Sequence, residues 1–133
     1  MNIPIYRAKK IDSDEYVEGI AVDNNLLIQC THFDSYYNEH IASVVEIDPT
    51  TLAIHFKDMI DSQGNKIFAS LSEDGKGGDY TNCEKLPVVF CWDSLNACVC
   101  LKGKYEYTAL FKDGSTNSKN TTFNKYTIIG IQE

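Results

Sequence analysis

The stretch Val88-Val89-Phe90-Cys91-Trp92-Asp93-Ser94-Leu95-Asn96-Ala97-Cys98-Val99-Cys100-Leu101 decides the fold. Two short runs of β-branched, aromatic and sulfur side chains flank the polar Asp93-Ser94-Leu95-Asn96. Apolar runs of this length, bounded by turn residues, form the two strands of a hairpin. Pairing Cys91 with Cys98 puts Val89, Cys91, Cys98 and Cys100 on one face. Val88, Phe90, Trp92, Ala97, Val99 and Leu101 then share the other.

Downstream of the hairpin, Tyr105, Tyr107, Ala109 and Phe111 alternate with Glu106, Thr108, Leu110 and Lys112. This period of two marks a further strand. A polar loop from Asp113 to Thr122 follows, and Lys125 to Ile131 closes the chain as a strand. Strands at this spacing build a small barrel or a curled antiparallel sheet.

Upstream, Ile3 and Ile5 bracket Pro4, which suits an edge strand because proline cannot donate to a ladder. Tyr16 to Val22 and Leu26 to Cys30 read as strands around the turn Asp23-Asn24-Asn25, and His32 to His40 reads as irregular. Ser43 to Ile47 is β-rich, and Asp48-Pro49-Thr50 reads as a turn. Leu52, Ile54 and Phe56 then alternate with Thr51, Ala53 and His55, which puts His55 on the solvent side of a half-buried strand. Asp61-Ser62-Gln63-Gly64-Asn65-Lys66 is a tight turn with Gly64 at positive φ. Ser72 to Glu84, with three glycines and four acidic residues, is the longest expected loop. The expectation is one mainly β domain over 1–133 in two parts, with a sub-boundary near 72–86.

Composition bounds the function. The 133 residues are 43% hydrophobic, enough for one core. No apolar run approaches the roughly 18 residues of a membrane span, and the first ten residues do not read as a signal peptide. Five cysteines, an odd number, argue for reduced thiols and a cytoplasmic location. There the sequon Asn120-Thr121-Thr122 has no meaning. A net charge of −7 disfavours nucleic acid and anionic membranes and suits a basic partner protein.

The segments Tyr6-Arg7-Ala8, Ile47-Asp48-Pro49-Thr50-Thr51-Leu52, Asp61-Ser62-Gln63-Gly64-Asn65-Lys66-Ile67-Phe68 and Tyr126-Thr127-Ile128-Ile129-Gly130-Ile131 belong together. With them the chain resembles the YopX-like family of small phage and prophage proteins. That family's pattern carries an Asp-x-x-Gly-x-Lys-Ile-aromatic turn followed almost at once by Glu-Gly-Asp. Here Ala69 to Gly77 intervene, and Gly78-Asp79 stands at the end of the pattern. The resemblance implies a mainly β fold whose part at 87–133 is SH3-like, and an origin in a mobile element. It supplies no catalytic residue.

Several constellations invite chemistry. Cys91, Cys98 and Cys100 could supply thiolates to zinc, but zinc sites use paired Cys-x₂₋₄-Cys knuckles, and buried free cysteine behaves as a small hydrophobe. Glu73-Asp74-Gly75-Lys76-Gly77-Gly78-Asp79 lacks the Gly-Lys-Ser/Thr and helix of a phosphate loop, so it reads as a flexible surface loop. Asp58, Asp61 and Gly64 lack the first ligand of a calcium loop. His32, His40 and His55, with Cys30, show no ligand or triad spacing. Lys102, Lys104, Tyr105, Tyr107, Phe111 and Lys112 mix cations with aromatics, as single-strand-binding barrels do, yet alternation explains the aromatics as a core face. The expectation is no catalytic, cofactor or metal residue. With the resemblance, the expected role is that of a non-enzymatic phage or prophage accessory protein that binds a protein partner or itself. A nucleic-acid-binding small barrel is the alternative.

Overall fold

Residues 4–83, 86–94, 98–103, 107–109, 123 and 126–133 are described in a computed structural model of the chain. Among them lie eleven strands and no α-helix. These are β1 (Ile5–Lys10), β2 (Tyr16–Gly19), β3 (Ala21–Asp23), β4 (Leu26–Asp34), β5 (Glu39–His55) and β6 (Ala69–Ser70), then β7 (Asp79–Cys83), β8 (Leu86–Asp93), β9 (Cys98–Lys102), β10 (Tyr107–Ala109) and β11 (Ile128–Ile131). The chain is mainly β, as its alternation requires.

The deciding hairpin is β8–β9, with Phe90 opposite Leu101, Cys91 opposite Cys100 and Trp92 opposite Val99. Cys91 therefore faces Cys100 and not Cys98. A slip of two residues keeps every side chain on its expected face, because the strand period is two. Val88, Phe90, Val99 and Leu101 enter the main core, with Trp92 at its margin. Cys91, Cys98 and Cys100 are buried on the other face.

From this hairpin the sheet runs β10-β9-β8-β6-β5-β1-β2. One edge of β8 is shared, β7 pairing with its first half and β6 with Cys91. The sheet curls into a half-barrel. Ile54, Met59, Ile67, Val88, Phe90 and Leu101 fill its main core. Ala8, Leu27 and Ile47 form a smaller core under β1, β4 and β5, and Tyr6 packs against both.

Four local expectations change. β1 is interior, paired with both β2 and β5, and Pro4 precedes it. Asp48-Pro49-Thr50 does turn, since Asp48 Oδ1 accepts the Thr50 N–H at 3.0 Å. That turn sits inside one seventeen-residue strand as a bulge between Lys9↔Asp48 and Arg7↔Ala53. His55 is buried, with Nδ1 at 3.0 Å from the Ile67 carbonyl. Both faces of β5 are covered here, so alternation alone misplaces it. The expected loop over 72–84 ends at Gly78, and Asp79–Cys83 is β7. Gly75, Gly77 and Gly78 are buried, so this segment is clamped and not a free surface loop.

The clamp centres on Arg7 and Asp79. Arg7 Nη2 donates to Asp79 Oδ1 and to the Gly77 carbonyl, each at 2.8 Å. Asp79 Oδ2 accepts the Phe68 N–H at 2.8 Å, and the guanidinium lies 4.4 Å from the Phe68 ring centroid. Gly77 and Gly78 exchange backbone bonds with Gln132 at 2.7 and 2.8 Å. A Cβ at Gly77, already at φ +83°, would overlap the Thr51 carbonyl. Segments around Arg7, Asp79 and Gln132, far apart in sequence, thus meet at one buried joint.

Candidate interaction surface

β4 and β5 pair from Leu26↔Glu46 to Asp34↔Glu39. The base of this hairpin is anchored: Leu27 is fully buried, and Val45 packs beside it against Ala8 and Ile47. Beyond the base, β3 reaches only Leu26–Ile28 and β1 stops at Ile47. The remainder is a two-stranded ribbon with both edges uncovered among the described residues. The expected irregular segment 32–40 is thus the end of β4, a turn over Ser35–Asn38, and the start of β5.

Local chemistry explains the turn. Asp34 Oδ1 accepts the N–H groups of Tyr36 at 2.9 Å and Tyr37 at 3.4 Å. Asn38 takes φ +54°, a conformation that asparagine tolerates better than most residues. Tyr36 and Tyr37 sit edge to face at 4.8 Å, 85% and 67% exposed. Phe33 and His40 form a second edge-to-face pair at 5.2 Å. Register places Phe33, His40, Ala42 and Val44 on one exposed face, with Phe33 and Val44 about half exposed. Together they form an exposed strip of aromatic and aliphatic side chains on one face of the ribbon.

Charge separates this region from the rest. Residues 11–56 hold nine carboxylates and neither Lys nor Arg, so they carry −9 and the remaining residues +2 of the total −7. Asp14, Glu15, Glu18 and Asp48 pair with Lys9, Lys10, Lys66 and Lys76 of the body. Asp34, Glu39 and Glu46, along the ribbon, make no ion pair with a described residue. Sequence reading by strand pattern missed this surface. The cation-free run of 46 residues around Tyr36-Tyr37 is the signal that reveals it.

The other candidates resolve into structure. Burial, and then the neighbouring Cys100, push the Cys91 thiol up to about 12, far from the thiolate needed for nucleophilic or zinc chemistry. No group of three or more His, Cys, Asp or Glu able to hold a metal forms among the described residues. Asp61 caps its turn: Oδ1 accepts the Gln63 and Asn65 N–H groups at 2.9 and 2.8 Å, and Oδ2 that of Ile128 at 3.1 Å. Burial raises this carboxyl, but those donors outweigh it and hold it below the ordinary range. His40 lies on the ribbon, opposite Phe33, and His55 fifteen residues further along β5, opposite Ile5. The side chains of Cys30, His32 and Tyr107, and residues Lys104, Tyr105, Phe111 and Lys112, lie outside the described residues.

A pocket of about 330 Å³ opens between the glycine clamp and β8–β9, walled by Tyr80, Val89, Lys102 and the acidic Glu73 and Asp74. Two carboxylates against one lysine suit no phosphate. No helix is long and apolar enough to cross a membrane among the described residues. Comparison of the chain with protein-family models, curated proteins and solved structures finds no match.

Proposed function

We propose that this is a non-enzymatic accessory protein of a phage or prophage, acting in the host cytoplasm by binding another protein through the β4–β5 ribbon. The observation that carries this reading is the ribbon itself: a two-stranded extension with exposed Phe33, Tyr36 and Tyr37 at its tip. An isolated two-stranded hairpin is marginal in water, and tyrosine-rich apolar tips are enriched at protein interfaces. The phage or prophage origin in this reading rests on the sequence resemblance alone. The β4–β5 ribbon does not suit nucleic acid, because it lies in the −9 stretch.

The test is affinity capture from cells carrying the cognate element, with and without nuclease, using the wild type and a Phe33→Ala/Tyr36→Ala/Tyr37→Ala variant. A stoichiometric protein that survives nuclease and is lost from the variant is the expected result. Capture of nucleic acid alone, released by salt, sinks the proposal.

A further inference from the structure

Resting on the ribbon as a binding arm, we infer that the outer edge of β5 from Glu39 to Val45 accepts an extended, basic segment of the partner as an added strand. β4 occupies one side of this stretch, and β1 stops at Lys10↔Ile47 on the other. The last bond on the outer side runs from the Ile11 N–H to the Glu46 carbonyl at 3.2 Å. Backbone groups alternate sides along a strand. Glu46 turns outward, so Val44, Ala42 and His40 do too, and no described strand meets them.

Natural edges are blunted by lysine, proline, bulges or brevity. Glu39-His40-Ile41-Ala42-Ser43-Val44-Val45 has none of these, and the bulge in this pair lies on β4 at Gln29. An edge left open and rich in β-formers is a template for strand addition, where main-chain bonds give affinity and side chains give choice.

Charge selects the occupant. Exposed Glu39 and Glu46 mark the two ends of the edge, about 23 Å apart along an extended chain. A second copy would bring its own −9 stretch alongside, whereas a segment bearing one Lys or Arg near each end, at an odd spacing that puts the two on opposite faces, meets both carboxylates.

Two eight-residue peptides of one β-rich core serve as probes, one with Lys and one with Glu at both the first and the last position, seven apart like Glu39 and Glu46. Amide exchange of the intact protein is the readout. The Lys peptide at millimolar concentration slows exchange at His40, Ala42 and Val44 by about tenfold, less so as salt rises, and the Glu peptide leaves them unchanged. Ala42→Pro removes one outward N–H without breaking a ladder bond. It abolishes this protection and leaves the β8–β9 amides as slow as in the wild type. Equal protection by both peptides, or none by the Lys peptide, overturns the inference. So does a dimer by light scattering in which these amides are already slow, because the edge is then occupied by a second copy. A cellular partner retained by Ala42→Pro but lost from the tip variant leaves the binding arm standing and removes strand addition alone.

Discussion

Single residues hold the two halves together, and their burial makes them measurable. Burial pushes the Asp79 carboxyl up, and Arg7 pulls it down. Asp79→Asn leaves the guanidinium buried without its counter-charge, which costs about 3–5 kcal/mol in comparable pairs; the urea midpoint of the variant reads this directly. Burial pushes the His55 imidazole down, the Ile67 carbonyl acts against it, and Lys66 adds to the lowering. A lowered histidine favours the neutral folded form. Its contribution is complete above the ordinary value of about 6.5 and is lost as pH falls through the folded value. Thermal melts of His55→Asn should therefore show a flatter pH dependence below about 6.5 than the wild type. Cys91, Cys98 and Cys100 are buried thiols. Mass spectrometry after iodoacetamide treatment should find them unmodified in the native protein and alkylated after unfolding. At this scale the sequence reading placed the hairpin faces correctly and missed His55. Face assignment needs only period two, whereas burial of the second face depends on what crosses it.

Elements divide into an anchored body and a projecting arm. Leu27 fills the small core with no exposure, so Leu27→Ala should cost about 2–5 kcal/mol. The tip substitutions at Phe33, Tyr36 and Tyr37 should each stay within about 0.5 kcal/mol. Joining Ile28 to Val44 through Asn-Gly removes the arm while keeping the Leu27↔Val45 register, and Asn-Gly suits a tight hairpin turn. The shortened chain should retain the slow β8–β9 amide exchange of the wild type; loss of that protection would show the arm to be part of the body. Gly77→Ala tests the clamp at the opposite end, and the overlap with Thr51 predicts lower stability at unchanged secondary structure. β5 was legible only in pieces, because Asp48-Pro49-Thr50 has real turn chemistry. What keeps the strand running through it is pairing with β1 on both sides of the bulge, a tertiary fact.

Across the whole molecule, charge and shape point the same way. The −9 stretch covers the arm and its root, while the remaining residues are slightly basic. This asymmetry was present in the sequence, but averaging over the chain hid it in a net −7. The mainly β class and the curled sheet were legible because alternation and turn residues recur at short intervals. The joining of both halves through Arg7 and Asp79 was not, since residues 72 positions apart leave no local periodicity. The central claim is that the arm, and not the body, meets the partner. Hydrogen exchange of the captured complex against the free protein tests it most directly. Slowed exchange confined to residues 30–45, with β8–β9 unchanged, is the predicted result. Protection centred on β8–β9 or the pocket beside Lys102, with the arm still exchanging freely, would contradict it.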